Sequence, residues 1–552
     1  MARHFKNSTK SNVQDFSKSV SASVPRSRFY RPSGLKTTFD AGKLVPIYID
    51  EVLPGDTYEM KLQHVAKMIT PLTPTMDNME LEFFAFFVPN RLVWDNWEKL
   101  MGENKDDAWT PPSTPVSVPM YNFDVVQTEN SIGDYYGIPL NMSFVNHPVN
   151  ILPFRGYGLI WNEWFRNQNV QAPLQVYTTD TNQAGALINP RGELLNVNKP
   201  FDYFTSCLPE PQKGDSQLIP IELNSLIPVI TTSLEAMTGN QTPLKVYRAS
   251  DGTAINNQYT LQSAPTGDNV GYADTDAAGT YQDNIYPRNL FADPTALGNI
   301  ASSTISDLRT AFQIQKLLEK DARGGTRYVE ILKTHFGVDA RDYRLQRPEY
   351  LGHIKSFVGI NQVPQTSETN TTPQGNLTAF AHSQGNSYFF NKSFVEHGFL
   401  HIFVVARQKK TYQQGLERFW FRQDRLDYYM PVLAHISEQP VYQKEIYALV
   451  NNPDVVFGYN EAWSDYRYKP SKTSAQMRSD NSNSFDIWHY ADDYSSAPTL
   501  SDAWMKDNSN TNLERTVAIS GTIHTIMMDV RFDLTCIRPM PVNSIPGYID
   551  HF

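Results

Sequence analysis

Eight cations and one acid stand in the first 36 residues: Arg3, Lys6, Lys10, Lys18, Arg26, Arg28, Arg31 and Lys36 against Asp15. The whole chain carries −10, so this arm at +7 leaves −17 for the remainder. Cations at this density can neutralise phosphates, and Phe5, Phe16, Phe29 and Tyr30 among them offer rings for stacking on unpaired bases. Composition leaves three readings of the arm open: a basic, Ser-rich transit peptide, a solvated tail without a partner, and an arm that touches packaged nucleic acid. With so few core-forming residues it is expected to be flexible when free.

The other groups that could do chemistry lack the company they would need. Asp106-Asp107 and Asp492-Asp493 are acidic pairs with no spaced partner. Gly156 and Gly158 miss the third glycine and the β-α-β setting of a dinucleotide fingerprint, and His335 and His353 are far from HExxH spacing. Cys207 and Cys536 lie far apart, with no CxxC, so nothing points to an oxidising compartment or a structural zinc. There is no phosphate-binding GxxxxGK loop, no GxSxG elbow and no calcium loop. We therefore expect no catalytic residues, no metal, no cofactor and no enzyme, while a carboxylate pair for glycoside cleavage stays open because such residues meet only in three dimensions. No apolar run approaches the ~18 residues of a membrane span, and the basic start has no apolar core behind it. The expectation is a soluble chain made in the cytoplasm.

The elements that position these residues read mostly as strands. Met79 to Val88 alternates as Met79, Leu81, Phe83, Ala85 and Phe87, and the other parity turns apolar at Phe84, Phe86 and Val88, which predicts a strand covered on both faces. A short helix is expected from Arg91 to Gly102 on the spacing of Leu92, Trp94, Trp97, Leu100 and Met101. Leu44 to Val52 and Thr57 to Leu62, joined by Leu53-Pro54-Gly55-Asp56, read as a hairpin. Further on, Leu159, Ile160, Trp164 and Phe165 predict a helix ending near Asn167. Helices are also expected from Ser303, stopped by Gly324-Gly325, and from Thr326 to Phe336, ended by Gly337, and strands at Gly398 to Ala406 and Thr516 to Leu534. Asp424 to Leu433 and Asn460 to Lys469 are aromatic loops suited to contacts between subunits. From about Ser225 to Asp293 the chain is rich in Gly, Asn, Thr and Asp, which reads as a disordered excursion or a projecting unit. With 552 residues, 19% charged against roughly 25% in ordinary globular chains, and 36 prolines, the composition fits β-structure with surface buried between subunits or a large single β-protein with long loops.

The stretches LVPIYIDEVLPGDT, FFVPNRLVWDNWEKLMGE, PFRGYGLIWNEWFR and LRTAFQIQKLLEKDARGGTRYVEILKTHFGV resemble the major capsid protein of gokushoviruses, a branch of the Microviridae, along nearly all of the chain outside 225–293. The resemblance implies a mainly β fold: an antiparallel viral jelly-roll β-sandwich with long helix-containing loops and one large insertion. It implies a structural subunit of a T=1 icosahedral phage capsid around single-stranded DNA, with a small basic internal DNA-binding protein as partner and an insertion that forms threefold projections facing a host cell surface receptor. The parts are then a basic arm at 1–36, core at 37–224, a projecting insertion at 225–293 and core at 294–552. On this reading the eight cations of the arm bind nucleic acid, Trp94, Trp97, Trp161 and Trp164 anchor the core or a subunit interface, and the protein resides in the virion after assembly in the bacterial cytoplasm. The competing reading, from the Trp and Tyr content, is a β-sandwich that binds or cleaves carbohydrate.

Overall fold

Strict alternation builds the frame of the molecule. Along β3 (Thr57–Met68), Tyr58, Met60, Leu62, His64, Ala66 and Met68 are buried and the residues between them lie nearer to solvent, the period of two of a strand covered on one face. The same holds along β8 (Ile526–Pro539) for Met528, Val530, Phe532, Leu534 and Cys536. β4 (Met79–Pro89) is covered on both faces, as apolar residues on both parities predict. The computed structural model describes residues 25–103, 116–122, 127–140, 147–180, 188–215, six short strands between 229 and 292, 305–324, 328–337, 346–519, 521 and 523–543.

Eight long strands form one antiparallel sheet. The others are β1 (Arg26–Phe39), β2 (Val45–Val52), β5 (Glu349–Pro364), β6 (Leu377–Ser393) and β7 (Gly398–Gln408), and the order is β1-β8-β3-β6-β5-β4-β7-β2. The first strand pairs with the eighth, the second with the seventh, the third with the sixth and the fourth with the fifth. This nested hairpin then rolls up, so that β8 also pairs with β3 and β7 with β4. The result is a jelly roll in which early and late strands meet. Its two layers, β1-β8-β3-β6 and β5-β4-β7-β2, face each other through rings such as Tyr48 on Phe532 and His64 on Phe83, each pair 4.7 Å between centroids. Two connections are very long, residues 90–348 between β4 and β5 and residues 409–525 between β7 and β8.

The rolled sheet has two free edges, β1 and β2, and side chains join them. The Arg31 guanidinium reaches across to Asp50 in a two-pronged pair, Nη1 to Oδ2 at 2.6 Å and Nη2 to Oδ1 at 3.0 Å. Tyr58 donates its hydroxyl to the same Oδ2 at 3.2 Å. A bidentate, charge-assisted pair of this kind is among the stronger polar contacts available to a protein, and its hydrogen bond holds the Arg31 pKa above the ordinary arginine value.

Several expectations change. Residues 26–36 are not a free arm but most of β1, because Phe29, Arg31 and Leu35 turn toward the layer beneath while the backbone pairs with β8; Arg3, Lys6, Lys10 and Lys18, with Phe5 and Phe16, lie outside the described residues. β2 and β3 are not a hairpin: the Leu53–Asp56 turn is there, with Gly55 at φ +89°, but it carries the chain from one layer into the other, where each strand finds a different partner. The helix after Arg91 shrinks to single turns at Asn90–Leu92 and Trp97–Leu100, since Trp94 is drawn inward by its hydrogen bond to Asp180. The helix around residue 160 begins earlier, as α1 (Leu152–Ile160), and widens into a π turn at Trp161–Phe165. Of Thr516 to Leu534 only the part from Ile526 is in β8; its start bridges instead to residues 70–72. The helices expected near 303 and 326 are α2 (Ile305–Arg323) and α3 (Tyr328–Phe336), the latter followed by Gly337 at φ +69°.

The chain divides into two compact units, Met1–Pro211 with Ala322–Phe552, and Gln212–Asp321. The jelly roll belongs to the first. In the second, the strands Val246–Arg248, Tyr281–Pro287, Val270–Asp274 and Tyr259–Ser263 form an antiparallel sheet, and Leu290–Ala292 pairs with Val229–Thr231. The composition boundaries at 225 and 293 fall inside this unit, and most of the residues between them lie outside the described ones.

Between β7 and the β4–β5 connection His401 is fully enclosed. Its Nδ1 lies 2.8 Å from the Tyr136 hydroxyl, and its Nε2 faces Gly156 of α1 with no hydrogen-bond partner, where a Cβ would stand 2.9 Å away. Burial lowers its pKa to about 3, and that of His64 to about 4. In the unfolded chain both would take a proton near pH 6.5. Their contribution to stability is therefore complete above about pH 6.5 and is lost as pH falls toward 4 and 3, at about 1.4 kcal/mol per histidine per pH unit.

Two outcomes follow for the unassembled chain. In urea titrations, Asp50→Ala should cost about 1–3 kcal/mol, because Arg31, Tyr58 and Tyr48 lose a shared acceptor, and Arg31→Lys should recover only part of the pair because an ammonium cannot bind two-pronged. A midpoint equal to the parent in both variants would show that the edge contact is incidental. Between pH 6.5 and 4 the parent should lose stability, and His401→Gln should flatten that loss, leaving the share of His64; an unchanged slope would exclude His401 as its source.

Candidate assembly surface

Three of the four tryptophans singled out by sequence sit in packing, and one opens to solvent. Trp94 is fully buried, donating Nε1 to Asp180 Oδ1 at 2.5 Å. Trp97 packs between Trp94 and His397, at 6.3 and 5.7 Å. Trp161 is buried, with Nε1 on the Asn196 carbonyl at 2.8 Å. These three hold the β4–β5 connection within its own subunit. Trp164 is 37% exposed and, with Phe86, Tyr350 and the exposed Phe201, lines a recess of about 480 Å³ over the outer side of β4.

The four arm cations within the described residues behave differently from one another. Arg31 points inward and is committed to Asp50. Arg26 is exposed and donates to the Gly55 carbonyl and to Thr57 Oγ1. Lys36 is exposed, 3.4 Å from Asp529, and Arg28 is exposed with no ion-pair partner among the described residues.

Among the described residues a dense group of exposed apolar side chains comes from the β7–β8 connection, in the aromatic loop Asp424–Leu433 that the sequence marked and in the turn just before it. Single turns at Arg418–Phe421, Arg425–Asp427 and Pro431–Leu433 leave Trp420 68%, Leu426 72% and Val432 92% exposed, beside Phe419, Tyr428 and Tyr429. Such a cluster is far from the scattered single residues of a monomer surface. It is also held rigidly. Arg422 pairs with Asp465 and lays its guanidinium over Tyr466 at 4.3 Å and Tyr428 at 5.7 Å, while Trp463 donates Nε1 to the Leu433 carbonyl at 2.9 Å. Tyr429 packs on both Trp463 and Tyr466.

Beneath the connection lies a buried charge network. Lys410, at the end of β7, reaches Asp507 and Asn508, each at 2.7 Å, and Lys199 stands 3.6 Å from Asp492 and 4.2 Å above the Trp504 ring. Asp492, half of an acidic pair noted in the sequence, also accepts from Asn512 at 2.7 Å and Tyr494 at 2.9 Å. Burial opposes its ionisation, but Lys410 and Lys199 outweigh it and hold the carboxyl below its usual range. Each cation of the network faces a carboxylate and all are enclosed, with Asp507 Oδ2 alone of the carboxylate oxygens left without a hydrogen bond, so the network anchors a loop rather than meeting a substrate. His353 stacks on Phe84 at 4.6 Å, and both cysteines are buried and free. Among the described residues no group of His, Cys, Asp and Glu could hold a metal ion, and no helix is long and apolar enough to cross a membrane.

Sequence reasoning named the aromatic loops at 424–433 and 460–469 but missed the buried charges, because Lys199, Lys410, Asp492 and Asp507 carry no spacing signal and come together only in the fold. It also missed β5 and β6, whose Gly, Asn, Ser and Gln blur the alternation.

Exposed rings on a fixed scaffold are suited to association. Replacing Trp420 and Val432 by Ser should leave the unfolding midpoint within about 0.5 kcal/mol of the parent, as for surface sites, and should weaken association of the chain in sedimentation by tenfold or more. Association equal to the parent would remove this ridge from the interface.

Comparison with known proteins adds a family. The model of the phage capsid protein (F protein) family matches residues 17–548. Capsid protein VP1 of Chlamydia phage 1 is 40% identical over 586 aligned residues, covering 96% of this chain and 97% of that protein. Capsid protein VP1 of Bdellovibrio phage phiMH2K is 40% identical over 556 residues, with 98% and 99% covered, and that of Spiroplasma virus 4 is 38% identical over 555 residues, with 97% of each.

Proposed function

The chain belongs to the phage capsid F protein family, in its gokushovirus branch, and is thus a major capsid protein of a phage with a place in the virion; from that premise we propose that identical copies close into a T=1 icosahedral shell around single-stranded DNA. The observation that carries this reading is the ridge of exposed aromatic and aliphatic residues at 419–432, fixed by Arg422 and Trp463 over a jelly roll whose own core is already complete. A monomer gains nothing by holding such a surface rigid, whereas obligate interfaces are built from it. The role is structural, in keeping with relatives named as capsid proteins. Assembly takes place in the bacterial cytoplasm, with a small basic DNA-binding protein inside.

The second unit supports a further part of the reading. A stretch rich in Gly, Asn, Asp and Thr contributes little to a core, and its described strands pair only among themselves, as a four-stranded sheet and a two-stranded one. Three copies meeting at a threefold axis would form a projection, and such a projection is placed to meet a receptor on the host surface.

Electron micrographs and sedimentation of the parent should show closed particles that contain DNA, whereas a carbohydrate-binding protein would stay small and respond to glycans. With residues 225–293 replaced by a short Gly/Ser linker, particles should still form and adsorption to host cells should fall. Normal adsorption would refute the attachment role, and a chain that no longer folds would refute the independence of the segment.

A further inference from the structure

Among the described residues, most of the outward side chains of β1, β8, β3 and β6 are exposed. We propose that packaged single-stranded DNA lies against this face. The proposal rests on the shell reading and names the surface that would line its interior.

Charge is the first argument. The face presents Arg26, Arg28 and Lys36 from β1, Lys61 and Lys67 from β3 and Arg531 from β8, against Glu59, Asp529 and Asp533. It therefore carries three surplus positive charges on a chain whose net charge is −10. The register spreads the cations across the sheet: Lys67 stands opposite both His382 and Met527, Lys61 opposite Tyr388 and Asp533, and Arg531 opposite Gly34 and Gln63. A polyanion is drawn to such a field, and a small basic protein is repelled by it.

Shape and chemistry are the second. Pro32 and Gly34 raise almost no side chain, so an open trough of about 850 Å³ runs over them, walled by Gln63, Val65, Gln384, Asn386 and Arg531. Its amides offer donors and acceptors to base edges, and Val65, 48% exposed, offers an apolar contact. Rings stand at its borders: Tyr388 is 53% and Tyr30 60% exposed, and Phe380 is 50% exposed with His382 stacked on it at 5.6 Å. Rings of this kind hold unpaired bases without regard to sequence, which selects a single strand over a duplex.

The test uses the full-length, unassembled chain and a fluorescent single strand of about thirty deoxythymidines, long enough to cross a site of this class. The triple variant Lys61→Gln, Lys67→Gln, Arg531→Gln should flatten the slope of log affinity against log salt by about 2, at about 0.7 per lost phosphate contact. Glu59→Gln with Asp529→Asn should tighten binding at fixed salt, a gain that general damage to the fold would not produce. Tyr388→Ala should weaken binding by about tenfold. A parent-like slope in the triple variant, or binding of a basic peptide to this face in place of DNA, would overturn the proposal and leave the shell reading intact. Parent particles without DNA would overturn the shell reading itself.

Discussion

The structure depends on how an eight-stranded sheet disposes of its two edges. An open edge exposes a row of unpaired backbone groups and invites pairing with any other strand. Here the roll brings β1 and β2 side by side without a backbone ladder, and Asp50 closes the gap by accepting from Arg31 and from Tyr58. Because the junction is polar and partly solvated, it fixes geometry more than it adds stability. The core does the rest: Phe83, Phe532 and Tyr58 are all but inaccessible, and the layers cannot slide while their rings interdigitate.

Much of this was legible in the chain. β3, β4, β7 and the last strand show as alternation or apolar runs because one or both faces are buried, and burial writes a period of two into the sequence. The pairing of strands was not legible. The Leu53–Asp56 turn carries all the signals of a hairpin, yet the roll takes β2 and β3 to separate layers, where β2 pairs with β7 and β3 with β8 and β6. β1 was hidden by its own outward face, where Arg26, Arg28 and Lys36 read as a tail although Phe29, Leu35 and Phe39 lie on the opposite parity. The tryptophans were legible as anchors, but their destination is set by partners as remote in sequence as Asp180 and Pro348.

The buried charges answer a different need. An enclosed ion pair rarely gains stability over apolar packing of the same volume, but it enforces one arrangement, since any other leaves a charge without a partner. Lys199, Lys410, Asp492 and Asp507 join the two long connections to the end of β7 at a single point. The aromatic ridge at 419–432 belongs to the second of these connections and is held by Arg422 on Asp465 and by Trp463 on the Leu433 carbonyl, although it has almost no regular secondary structure. An interface presented this way keeps its shape before a partner arrives and loses little freedom on association.

The two layers of the roll are thereby made unequal, and connectivity explains why. Three of the four ends of the long connections, those of β4, β5 and β7, lie in the layer β5-β4-β7-β2, and only the start of β8 lies in the other. Inserted chain covers the layer from which it springs: Phe84 and Phe86 are roofed by Phe165 and Trp164. The opposite layer takes only one such end, at the start of β8, and among the described residues its outward side chains lie nearer to solvent and many are charged. A jelly roll that places its insertions on one layer therefore acquires one face rich in rings and one rich in charge, before any partner is considered.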